Sequence, residues 1–156
     1  MTEDTGPDAA KAGPRGRSVR STHLFTIDAL LGPVVDVGQT PTGHRRVIPV
    51  VGGTVSDGLH GTVLPGGADW NLERADGSTE LWARYEIRLA DGAVVSVTNA
   101  AVHAPDAPAP ILTTPRFDVG ADGPVHLRTG AFLGLLTPRL DEGRVRIEIH
   151  RLSATP

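Results

Sequence analysis

DWNLERADGSTELWARYEIRLADGAVVSVTN, residues 69 to 99, carries two Asp-Gly dipeptides, Asp76-Gly77 and Asp91-Gly92, between runs rich in β-branched and aromatic residues. Asp-Gly is favoured in two-residue hairpin loops because both central positions need positive φ. Two such loops fold the stretch into three antiparallel strands. Asp69 then faces Arg84, Trp70 faces Ala83 and Leu72 faces Leu81; in the second hairpin Arg84 faces Asn99 and Leu89 faces Val94. Asp69, Arg84 and Asn99 form one row across three strands. The weak point is Glu73 opposite Glu80, a like-charge pair. A longer first loop would relieve it and break the row.

The rest of the chain reads the same way. With 19 Gly and 13 Pro, it is cut into short alternating or β-branched runs: 23–31, 46–51, 61–64, 94–98, 125–132 and 144–152. None sustains a helical period, and repeated strand–turn–strand patterns indicate an antiparallel sandwich or barrel. Pro105, Pro108 and Pro110 make 103–110 an extended loop, since proline cannot donate to a sheet ladder. In the expected register both faces of the three-stranded unit carry apolar side chains, so each needs a cover. A closed barrel with a lined lumen supplies one, and so does a homodimer. Residues 1–21, rich in Gly, Ala, Pro and charge, read as a disordered tail; residues 22–153 read as a single domain.

Charged residues make up 21% of the chain and the net charge is −3, which gives no basic field for nucleic acid or an anionic membrane. No segment is apolar enough to span a bilayer or serve as a secretory signal. There is no Cys, so disulfide scaffolds and thiolate chemistry are excluded, and a cytoplasmic setting fits. Gly52-Gly53 and Gly66-Gly67 lack the lysine and following helix of a phosphate loop, and there is no Gly-x-Ser-x-Gly elbow. Aromatics are only 4% of the chain, too few to wrap haem or flavin, and the histidines at 23, 44, 60, 103, 126 and 150 show no metal-ligand spacing. No cofactor or metal is expected.

Several pieces, taken in order, resemble the bacterial and fungal family called domain of unknown function 3237. They are Leu24-Phe25-Thr26, Gly38 to Gly43, Arg45 to Gly53, Gly61 to Trp70, Ala83-Arg84-Tyr85, Asp91-Gly92-Ala93 and Pro115-Arg116-Phe117. The resemblance implies an all-β, antiparallel calycin-like β-barrel with a small-molecule pocket, and no established activity. Where the family usually has an aromatic and an Asn, this chain reads His126-Leu127-Arg128.

The residues themselves suggest a site. Arg84 is suited to hold an anionic or carbonyl oxygen, with Asp69 as general base or hydrogen-bond acceptor and Asn99 completing the row. The same trio also reads as an ion pair that pins the hairpin register. Trp70 offers a flat wall, Tyr85 a hydroxyl and His126 an imidazole that titrates near neutrality; Arg128 accompanies it. Each also reads as plain packing or surface. The expected function is a small-molecule-binding barrel acting as a cofactor-independent isomerase, cyclase or lactone enzyme through Asp69, Arg84 or His126. The alternatives are a carrier or sensor with the same cavity, and a structural partner whose lumen is filled.

Overall fold

The computed structural model describes residues 16–155. Ten strands run in chain order: β1 (Val19–Leu31), β2 (Val35–Thr40), β3 (Gly43–Ser56), β4 (Gly61–Val63), β5 (Gly67–Glu73), β6 (Thr79–Leu89), β7 (Val94–His103), β8 (Ile111–Val119), β9 (Ala131–Arg139) and β10 (Arg144–Ala154). Strands β5 to β10 form an antiparallel meander that continues through β1 to β3. Both β4 and β5 pair with β3 on one side and β6 on the other, so they are two parts of one stave, broken at Leu64-Pro65-Gly66. This closes the all-β, calycin-like antiparallel barrel that the sequence led us to expect. The β2–β3 hairpin extends β3 beyond its pairing with β1. Val19 to Ser21, assigned to the tail from sequence, pair with Leu152 to Ala154 in the β1–β10 ladder, exposed to solvent; residues 1–15 of that tail lie outside the described residues.

Both Asp-Gly hairpins form, each with a loop one residue longer than expected. Arg74 N–H donates to the Ser78 carbonyl (2.8 Å) and Gly77 N–H to the Arg74 carbonyl (3.0 Å). Likewise Leu89 N–H donates to Ala93 (2.8 Å) and Gly92 N–H to Leu89 (2.9 Å). The loops are thus Ala75-Asp76-Gly77 and Ala90-Asp91-Gly92, and only their last residues, Gly77 (φ 83°) and Gly92 (φ 93°), are left-handed. The aspartates hold the turns: Asp76 Oδ1 accepts from Ser78 N–H and Asp91 Oδ1 from Ala93 N–H. Glu73 now faces Thr79, while Glu80 pairs with Arg74, so the like-charge contact is gone.

A one-residue slip sends every side chain to the other face. Arg84 lies opposite Ala68 and Thr98, not Asp69 and Asn99, and its side chain is exposed on the outer surface. Asp69 and Asn99 both lie opposite Ala83 and share the lumen face. The expected row survives with alanine where the arginine was placed.

The run 125–132 is not a strand. Val125–Leu127 is a single 3-10 turn, Gly130 is left-handed (φ 107°), and β9 starts at Ala131. Three strands had not been anticipated: β2, β8 and β9, of which the expected run reached only Ala131 and Phe132. Pro115 sits inside β8 because β8 pairs with β9 only over Ile111–Thr113; beyond that point one edge is free and no ladder bond is lost.

The barrel is filled at one end only. Phe25, Ile27, Ile87, Val95, Val97, Phe132 and Ile149 pack there, with the Phe117 ring 5.8 Å from Phe25 and 5.1 Å from Phe132. Leu127, 1% exposed, plugs that end from the 3-10 turn. The other end is hollow.

Candidate functional site

A cavity of about 240 Å³ occupies the hollow end. Alternation along the strands aims every second side chain into it, and the two walls differ. Strands β5 to β8 contribute Asp69, Asn71, Tyr85, Asn99 and Thr113; the facing wall, from β1, β3, β9 and β10, is apolar, with Ala29, Leu31, Ile48, Leu136, Val145 and Ile147. His103 and Leu140, the latter 70% exposed, stand at the mouth.

Asp69 is built into the wall. Its Oδ1 accepts from Trp82 N–H (2.9 Å), and the Trp70 carbonyl accepts from Arg45 Nη1 (3.0 Å). These two side chains replace a rung of the β5–β6 ladder, which pairs Asp69 with Ala83 and resumes at Leu72 and Glu80. Burial pushes the Asp69 carboxyl above the ordinary aspartate value, while the Trp82 N–H, the Asn71 amide and the Arg45 charge pull it partly back. Burial also raises the Tyr85 phenol.

Three polar atoms on the cavity, Tyr85 Oη, Asn99 Oδ1 and Thr113 Oγ1, are buried without a hydrogen-bond partner in the protein. Buried polar groups are ordinarily paired. Three exceptions on one cavity are a concentration that folding alone does not explain.

Of the residues singled out from sequence, Asp69, Tyr85 and Asn99 meet on this cavity. Trp70 does not. It packs on the outer face against Trp82 at 5.5 Å between ring centroids, so the cavity walls are aliphatic. Arg84 lines a separate shallow outer depression with Thr98 and Arg116. His126 and Arg128 are exposed beside the plugged end, away from the cavity. Arg128 Nε donates to the Val119 carbonyl (2.9 Å), capping the C-terminal end of β8. Arg151 holds the same segment through the His126 and Thr129 carbonyls (2.8 and 3.0 Å). The His126-Leu127-Arg128 departure is thus a plug and its latch. Asn71 and Thr113 had been missed. Asn71 was legible as the same-face neighbour of Asp69 two residues on; Thr113 was hidden in a segment not read as a strand.

Among the described residues, no cluster of three or more His, Asp or Glu side chains is placed to share a metal ion, and no helix is long and apolar enough to cross a membrane.

The family described as "Protein of unknown function (DUF3237)" matches residues 19–110. The chain belongs to that family. It is 35% identical over 151 residues to a UPF0311 protein of Rhodopseudomonas palustris, covering 86% of this chain and 97% of the relative. A conserved protein of unknown function from Rhodopseudomonas palustris superposes with a TM-score of 0.78 at 33% identity, over 87% of this chain and 99% of that one. A structure described as an enzyme from Penicillium herquei superposes with a TM-score of 0.70 at 25% identity, over 88% and 98% of the two chains. The family thus supplies the barrel and leaves the chemistry to be argued from the cavity.

Proposed function

We propose that this barrel is a cofactor-independent enzyme that takes a small, oxygen-bearing, largely apolar metabolite into the half-polar cavity and moves a proton with Asp69. The observation that carries the proposal is a carboxyl group set into an otherwise uncharged wall beside three polar atoms without protein partners. A carboxyl raised by burial is suited to accept a proton and return it within one turnover. Tyr85, Asn99 and Thr113 would fix the substrate's oxygen atoms while the aliphatic wall keeps water away, so the catalysis rests on positioning. Isomerisation, cyclisation and lactone opening or closure can each proceed with such a group and without a cofactor. The similarity to an enzyme of Penicillium herquei supports a catalytic use of this fold.

A second reading, a carrier or sensor, is favoured by the shortage of a partner for Asp69: besides His103 at the mouth, no further carboxylate or imidazole lines the cavity. The two readings separate at Asp69→Asn. Neutral oxygenated metabolites are screened by thermal shift, and binders are incubated with wild-type protein and the variant while products are followed by mass spectrometry. The enzyme reading expects turnover to fall by about 10²–10⁴-fold with affinity retained. Binding without any product from the wild-type protein selects the carrier.

A further inference from the structure

We infer that the cavity is built for an uncharged ligand with one hydrogen-bonding edge, about the size of a two-ring aromatic, and that it rejects carboxylates and phosphates. The inference rests on the reading above only in taking this cavity as the ligand site; it does not require Asp69 to be catalytic.

Charge is decided by the lining. No Lys or Arg side chain borders the cavity. The nearest cation to the acid, Arg45, is turned outward onto the Trp70 carbonyl. Arg84, which would have suited an anion, is outside the barrel. An anionic ligand would therefore leave water for an aliphatic wall and an aspartate, with no Lys or Arg counter-charge and only His103 at the mouth to compensate its desolvation.

The hydrogen-bonding edge follows from the unpaired atoms. Tyr85 Oη donates or accepts, Asn99 Oδ1 accepts, and Thr113 Oγ1 does either. With no partner in the protein, they are satisfied only from within the cavity. A ligand hydroxyl or carboxamide pairs with such a set, and a plain hydrocarbon leaves it unpaired. The Thr113 hydroxyl has its space because residue 134 on the neighbouring strand is glycine: a Cβ there would lie 2.1 Å from Thr113 Oγ1. On the opposite wall there is nothing to pair, so the ligand's other edge is apolar.

Size follows from volume. A cavity of about 150 Å³ holds benzene, so 240 Å³ suits about ten non-hydrogen atoms.

The test uses four probes on the full chain near neutral pH, by titration calorimetry and thermal shift. Benzamide and benzoate share a shape and differ in charge; 2-naphthol and naphthalene share a ring system and differ in one hydroxyl. The expected result is saturable binding of benzamide and 2-naphthol. Benzoate should reach less than a tenth of benzamide's affinity, and naphthalene should bind more weakly than 2-naphthol. Thr113→Val and Tyr85→Phe should each weaken 2-naphthol by about tenfold without weakening naphthalene, which no longer leaves that hydroxyl unpaired. If one variant folds poorly, the other carries the comparison, and the probe series on the unaltered protein needs neither. Benzoate binding as well as benzamide, naphthalene as well as 2-naphthol, or none of the four binding at millimolar concentration overturns the inference. Failure here is distinct from failure of the catalytic reading: an Asp69→Asn variant with full turnover removes that reading and leaves the ligand selectivity standing.

Discussion

Tyr85→Phe should stabilise the ligand-free barrel, an outcome opposite to most core substitutions. Tyr85 is 2% exposed and its ring packs in the core, but its hydroxyl has no protein partner. Phenylalanine keeps the ring and removes only the oxygen, so no hydrogen bond is lost and no large void opens. An unpaired buried polar group costs about 1–3 kcal/mol. The oxygen borders a cavity roomy enough for water, which places the gain near the lower end, about 1 kcal/mol. For a domain of this size that corresponds to a melting temperature higher by roughly 2–4 °C. Urea denaturation of both proteins, with m-values compared, measures it. The effect should reverse when 2-naphthol is present at saturating concentration, because the ligand then pairs the tyrosine and not the phenylalanine. A loss of more than about 1 kcal/mol in the free protein would refute the reasoning, since the hydroxyl must then be holding something in the fold.

Asp69 links stability to pH. Its carboxyl is raised on folding, so the folded state holds the proton more tightly than the unfolded chain does. Stability attributable to Asp69 is therefore fully present below its ordinary value of 3.8 and declines as pH rises through the folded value. Asp69→Asn, whose amide oxygen still accepts from Trp82 N–H, should gain stability relative to wild type with increasing pH, read from paired denaturation curves; a pH-independent difference contradicts the burial argument. Arg84→Ala should leave ligand affinity unchanged and stability within about 0.5 kcal/mol, because the side chain is exposed outside the barrel; a tenfold loss of 2-naphthol binding would return Arg84 to the site. Gly67→Ala should destabilise by about 1–3 kcal/mol, since its Cβ would meet the Arg84 carbonyl oxygen at 2.3 Å and Tyr85 Cβ at 2.5 Å; denaturant midpoints decide it.

The three central strands were legible because Asp76-Gly77 and Asp91-Gly92 announce reversals. The dipeptide does not distinguish a two-residue loop from a three-residue loop that ends on a left-handed glycine, and that single residue decided where Arg84 points. The chain did hold a clue, since only the longer loop separates Glu73 from Glu80. Asp69, Tyr85 and Asn99 were found because they lie on these strands. Thr113 was not, because Pro110 and Pro115 mask β8, and its strand character depends on a free edge that only the assembled barrel creates. His126 and Arg128 drew attention by their chemistry, whereas their position follows from Leu127, the residue between them that is buried. Ionisable groups were visible in the chain; the direction each one faces is set by pairing between distant segments.

The division of the lumen into a packed half and an open half separates two kinds of evolutionary constraint. Mutations among the phenylalanines and valines of the packed half are felt by the whole fold, whereas changes at Ile48, Leu81 or Ile111, which line the cavity outside that core, alter mainly what the vestibule admits. A lineage can thus exchange one guest molecule for another without first rebuilding its scaffold.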